Sequence, residues 1–181
     1  MGYKSLLEVY AQITKQMNSQ IIKKVLEREG GDKITYDKTD RGGTTKYGIS
    51  KRSNPDVDIE NLTEDEAVLI YLKKYWVPSK ASDMPEALQD MYFDMVVNFG
   101  QRRAVKILQE ACNHKIGRNT SKDVIMLVVD GLIGPKTLKA SKSLEKDRLM
   151  AFRIFHYSKI CIKNDVMMKY YYGWVRRATS I

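Results

Sequence analysis

The feature that most limits how this chain can fold is the pair Gly30-Gly31, set between a helical run and a short β-prone stretch. Ile21, Ile22, Val25 and Leu26 recur at the spacing of one helix face, and the glycines stop that helix. Upstream, Leu6, Leu7 and Tyr10 predict a separate opening helix. Residues 32–50 then lose the helical period. Thr35-Tyr36 and Thr44-Thr45-Lys46-Tyr47-Gly48-Ile49 are β-prone pieces around the turn signal Asp40-Arg41-Gly42-Gly43. Helical signals return at Thr63-Glu64-Asp65-Glu66, a capping box that opens a helix running to about residue 76. The series Leu88, Met91, Tyr92, Met95, Val96, Phe99 predicts the next, ended by Gly100. Further helices are expected over about 102–113, 135–143 and 147–162. The expected class is α+β, mostly α, with a small β-hairpin after the second helix.

At 181 residues and 43% apolar, the chain can bury a real core. Lys and Arg number 31 against 22 Asp and Glu, and the net charge of +9 asks for an anionic partner. Nucleic acid, an anionic membrane surface and the acidic bacterial wall all qualify. Against nucleic acid, the charge is spread along the chain and no recognition motif accompanies it. Two cysteines, Cys112 and Cys161, are too few for a disulfide scaffold and predict synthesis in a reducing compartment. Together with His114 and His156 they match no standard zinc spacing, so no metal and no cofactor are expected. No apolar stretch is long enough to span a membrane. The first twenty residues carry charges and amides without an apolar core, so no signal peptide is expected. The reading is a protein made in the cytoplasm that reaches a wall only with help from another protein.

Glu29 is the first residue that points to chemistry. Ile22, Val25 and Leu26 precede it by seven, four and three residues, so it shares their apolar face. It also falls in the last helical turn, at the negative end of the helix dipole. Both placements favour the protonated acid that a proton donor needs. The bland alternative is a helix-end Glu paired with Lys33 or Arg28 in solvent. Downstream, the β-excursion returns a second carboxylate, Asp40, and then Thr45. An acid, a second carboxylate and a hydroxyl are what glycoside hydrolysis uses to protonate a leaving oxygen and manage water across the sugar ring. Asp37 competes for the second role, and Asp40 also reads simply as a turn residue.

The run Glu29-Gly30-Gly31, then Asp40-x-Gly42-Gly43-x-Thr45-x-Tyr47-Gly48-Ile49, closely resembles glycoside hydrolase family 108. These are phage endolysin-type N-acetylmuramidases, among them proteins described as secretion activators. The resemblance continues through Asp94-x-x-x-Asn98-Phe99-Gly100, Ala104-Val105-x-x-Leu108-Gln109 and Val129-Asp130-Gly131-x-Ile133-Gly134-Pro135-x-Thr137-Leu138. It ends at Gly173-Trp174 with Arg176 or Arg177, so it covers roughly residues 20–178. It implies a lysozyme-like helical fold with Glu29 as catalytic acid and Asp40 and Thr45 beside it. Residues 1–100 would form the catalytic part and 101–181 a helical peptidoglycan-binding part, packed as one unit. Tyr36, Tyr47, Asn98 and Trp174 are the expected substrate contacts. Two departures stand out: Arg41 replaces a frequent Pro, and Asp32 a frequent aromatic, whose role Tyr36 is placed to take.

The resulting expectation is a peptidoglycan hydrolase that cuts the β-1,4 bond between N-acetylmuramic acid and N-acetylglucosamine. Its partner is the anionic wall polymer, with a holin or an export system for release. The alternative is a non-catalytic wall-binding protein that assists secretion; retention of Glu29, Asp40 and Thr45 argues against it. The aromatic and basic cluster Tyr170, Tyr171, Tyr172, Trp174 reads equally as a sugar-stacking patch or as a helix docking its rings into the core.

Overall fold

A computed structural model describes residues 6–36, 43–117 and 126–181. The chain divides into two units, Met1–Lys74 and Tyr75–Ile181. In the first, α1 (Leu6–Arg28) leads to a three-stranded antiparallel sheet of β1 (Thr35–Tyr36), β2 (Thr44–Lys46) and β3 (Ile49–Ser50), followed by α2 (Glu64–Tyr71). The two helices expected before the glycines are one. Between Tyr10 and Ile21 the chain has Ala, Gln, Lys and Met but neither Gly nor Pro, so nothing breaks the backbone hydrogen bonding.

The expected hairpin is a three-stranded sheet. The run 44–49 folds back on itself at Tyr47-Gly48, pairing Lys46 with Ile49 and Thr45 with Ser50, while Thr45 also pairs with Thr35. Tyr47 and Gly48 have φ of 53° and 70°, the positive values that a tight two-residue hairpin requires. The capping box is realised: the Glu66 amide donates to Thr63 Oγ1 at 3.3 Å, and the Thr63 amide to Glu66 Oε2 at 2.9 Å. α1 packs on α2, and Ile22, Val25, Leu26, Ile49, Ile59, Leu62, Ala67, Val68 and Tyr71 are buried. After α2 the helix widens into a π-turn, Leu72–Trp76.

The second unit is helical: α3 (Glu86–Phe99), α4 (Gln101–Gly117), α5 (Pro135–Ser141), α6 (Lys146–Lys163) and α7 (Met168–Thr179). α3 packs on α4 and α6, α4 on α5 and α6, and α6 on α7. Gly100 separates α3 from α4 in a single residue. Its φ of 80° and ψ of 149° lie where essentially only glycine is comfortable. α3 is buried from Met91 to Val96, an apolar run interrupted by one charge, Asp94.

Candidate active site

The end of α1 is closed by the two glycines. The Gly31 amide donates to the Leu26 carbonyl at 3.0 Å and the Gly30 amide to the Glu27 carbonyl at 3.2 Å, the paired bonds of a Schellman cap. In that cap Glu29 is the last residue before the left-handed turn, with its own amide bonded to the Val25 carbonyl at 3.0 Å. Ile22, Val25 and Leu26 beneath it are fully buried, and Glu29 is half-buried. The apolar face read from the sequence is therefore the one that carries this carboxyl.

The sheet comes back to meet it. The Tyr47 amide donates to the Gly31 carbonyl at 2.9 Å, tying the β2–β3 turn to the helix cap. The hydroxyl of Tyr71, on α2, donates to the Tyr47 carbonyl at 3.0 Å and holds the same turn from the other helix. Gly48 leaves no room for a side chain. A β-carbon there would meet Tyr71 Oη at 2.8 Å and Glu29 Cβ at 2.9 Å. The stem of Glu29 thus rests on bare backbone, fixed by its helix cap and by a turn that Tyr71 clamps.

Tyr71 was not singled out by sequence. The signal available was its place on the face of Ala67 and Val68, where a buried tyrosine needs a partner for its hydroxyl. Thr45 is half-buried in the central strand, three residues before Gly48. Tyr36 ends β1 with 64% of its surface exposed, open to a ligand. Tyr47 is only 9% exposed; burial pushes its phenol up, and the charges of Asp32 and Glu64 add to that. Its part in the site is the turn it makes. Asp40, and its competitor Asp37, lie outside the described residues. Among the described residues no three His, Cys, Asp or Glu side chains stand together as a metal set would.

The remaining expected contacts belong to the second unit. Asn98 is exposed near the end of α3. Trp174 is half-buried, its ring centroid 5.2 Å from that of Tyr157 and 5.9 Å from that of Tyr170. Core docking is the better description of Trp174, while Tyr170 and Tyr172 stay exposed. The motif residue Asp94 holds the unit together. It accepts from Arg153 of α6 at 2.5 Å and from Arg177 of α7 at 2.9 Å. Burial pushes its carboxyl up, but the hydrogen bond from Arg177 and the charges of both guanidinium groups outweigh this and hold it below the usual range. Gln109 anchors the Asp130-Gly131 turn: Oε1 accepts from the Gly131 amide at 2.9 Å and Nε2 donates to Asp130 Oδ1 at 2.8 Å.

Residues 22–100 match the family model described as Glycosyl hydrolase 108, and residues 103–179 match the one described as Predicted Peptidoglycan domain. The chain carries a glycosyl hydrolase 108 domain followed by a peptidoglycan domain. A solved structure, that of Brucella abortus SagA, shares the fold with a TM-score of 0.64 and 24% identity, over 92% of this chain and 91% of that one. No curated protein matches significantly. The lysozyme-like, mostly helical fold and a peptidoglycan-hydrolase or peptidoglycan-binding function follow from these domains. The glycosyl hydrolase 108 domain spans Glu29, the sheet and α2, and runs on through α3, whose Asp94 reaches into the helices of the peptidoglycan domain.

Proposed function

We propose that the protein is an N-acetylmuramidase that cleaves the β-1,4 bond between N-acetylmuramic acid and N-acetylglucosamine. Residues 1–100 form its catalytic part and 101–181 its wall-binding part. The observation that carries this reading is Glu29 itself, at the cap that ends α1 and with its stem seated on Gly48. A proton donor must hold its geometry while the glycosidic oxygen departs, and a helix cap, a two-residue turn and the Tyr71 clamp supply that rigidity. Glu29 donates its proton to the leaving oxygen. Asp40, a few residues ahead of Thr45, is the second carboxylate, and Thr45 helps place the water. Tyr36, exposed at the end of β1, offers its ring to the glycan.

The protein acts on the wall after release from the cytoplasm, through a holin in phage lysis or through an export system in wall opening for secretion. The test is digestion of purified peptidoglycan followed by mass spectrometry of the fragments. Reducing-end N-acetylmuramic acid is the expected product. Reducing-end N-acetylglucosamine, an anhydro sugar, a freed stem peptide or no cleavage at all would overturn the reading.

A further inference from the structure

The second unit contains a cavity of about 640 Å³ at the α3–α4 joint. That volume is in the range of ligand sites. Its walls include Arg102, Arg103 and Lys106 from α4, with His156 from α6 across from them. One carboxylate, Glu110, also lines it, and Lys159 already stands 3.5 Å from that group. Lys106 is partly balanced by the nearby charge of Asp130. The two arginines set the sign of the cavity.

Three further observations give this cavity the character of a built site. The Asp130-Gly131 turn, anchored by Gln109, packs against the stems of Arg102 and Lys106. A β-carbon on Gly131 would lie 2.6 Å from Arg102 Cγ and 3.2 Å from Lys106 Cγ. Those stems are therefore positioned before any ligand arrives. Second, His156 Nε2 is buried without a hydrogen-bond partner, an unmet polar atom on a residue of the cavity wall. Third, Gly100 precedes the first turn of α4 and brings no side chain that could cap the free amides of that helix.

The lining argues against a sugar. Phe99 is its aromatic ring, and that ring is engaged by His156 at 5.2 Å, by Tyr157 at 5.2 Å and by the Arg153 guanidinium at 5.8 Å. Cations beside an apolar wall of Phe99 and Ile107 suit a carboxylate attached to a small apolar group. We infer that this cavity binds a carboxylate of the peptidoglycan stem peptide, with Arg102 and Arg103 as its charged donors. This rests on the peptidoglycan reading of the chain but not on Glu29 or on hydrolysis.

The experiment uses the full-length protein and the pentapeptide L-alanyl-γ-D-glutamyl-L-lysyl-D-alanyl-D-alanine, followed by calorimetry and by the His156 ring signals in NMR. Binding is expected for the free acid and to fall at least tenfold for the peptide amidated at both α-carboxyls. It is expected to fall at least tenfold in Arg102→Gln/Arg103→Gln, which keeps the stems and removes the charges. The His156 titration is expected to move upward when the peptide binds. Its groups of influence are Arg103 and Glu110 on α4 and Lys159 and Lys163 on α6. Equal binding of the amidated peptide, unchanged binding by the double variant with an unchanged melting temperature, or equal affinity for acetate would each overturn the inference. So would tighter binding of a short oligonucleotide. Peptide binding alongside absent muramidase products removes the proposed activity and leaves this site standing; the reverse result does the opposite.

Discussion

Gly48 and Glu29 touch so closely that no other residue fits at position 48: a β-carbon there would lie 2.9 Å from Glu29 Cβ. The same atom would lie 2.8 Å from the Tyr71 hydroxyl, and φ is 70°. Gly48→Ala must therefore strain the turn and push either the acid or the clamp aside. It is expected to destabilise the protein by about 1–3 kcal/mol, the usual scale for such backbone strain. Hydrolysis should fall further than stability explains, because the displaced group is the acid itself. Thermal melting and wall hydrolysis on one preparation check this; full activity with normal melting contradicts it.

Glu29→Gln keeps the shape of the side chain and removes its transferable proton. Hydrolysis is expected to fall by at least about a hundredfold, the typical worth of a positioned general acid. The melting temperature should stay near that of the parent, since the α1 cap is made by backbone groups. A variant that still clears a wall suspension at the parent rate rules Glu29 out as the acid.

Tyr71→Phe tests the clamp while leaving Glu29 itself unsubstituted. It deletes the 3.0 Å bond to the Tyr47 carbonyl and leaves that carbonyl short of a donor. Stability is expected to drop by about 1–3 kcal/mol, the scale of an unsatisfied buried group. The product pattern should stay the same while the rate falls, because the turn under Glu29 loosens. Thermal melting read beside fragment mass spectrometry separates the two effects.

What could be read from the sequence divides by range. The capping box of Thr63 and Glu66 spans three residues, and the apolar face under Glu29 repeats within two helical turns, so both leave a local pattern. The Tyr47-Gly48 turn left a weaker one. Thr, Tyr and Ile on either side are strong strand formers, and their propensity hides the single glycine that folds the run in two. Tyr71 reaches Tyr47 across 24 residues, Arg153 reaches Asp94 across 59, and Arg177 reaches it across 83. No periodicity encodes such pairings. Asp94 sat in a recognisable motif, but only packing determines which arginines answer it.

That buried triad predicts an acid limit on stability. An unfolded Asp titrates near 3.8, and in the folded protein Asp94 lies below that value. The unfolded state therefore takes up the proton first. The contribution of the pair is complete above about pH 4 and is lost as pH falls through the folded value. Asp94→Asn should melt at lower temperature at neutral pH and show a shallower decline on acidification. Asp94→Ala, which leaves the buried Arg153 uncompensated, is expected to cost about 3–5 kcal/mol. Melting curves from pH 7 to pH 3 test both; parallel curves for parent and Asp94→Asn contradict the assignment.

Binding to the wall should be governed by charge. A chain of net charge +9 meets a polymer rich in carboxylates, and salt screens that attraction beyond about 8–10 Å at physiological ionic strength. Glu29→Gln is the form to use, because it leaves the polymer intact during the measurement. Its co-sedimentation with insoluble peptidoglycan is expected to weaken steadily as sodium chloride is raised. Trp174 is a poor test of stacking, since its ring packs against Tyr157 and Tyr170 and its removal would damage the fold. Tyr172, 77% exposed on α7, is the fair substitute. If Tyr172→Ala abolishes sedimentation and salt does not, ring stacking rather than charge holds the protein to the wall. If salt abolishes it and Tyr172→Ala does not, the basic surface is the anchor.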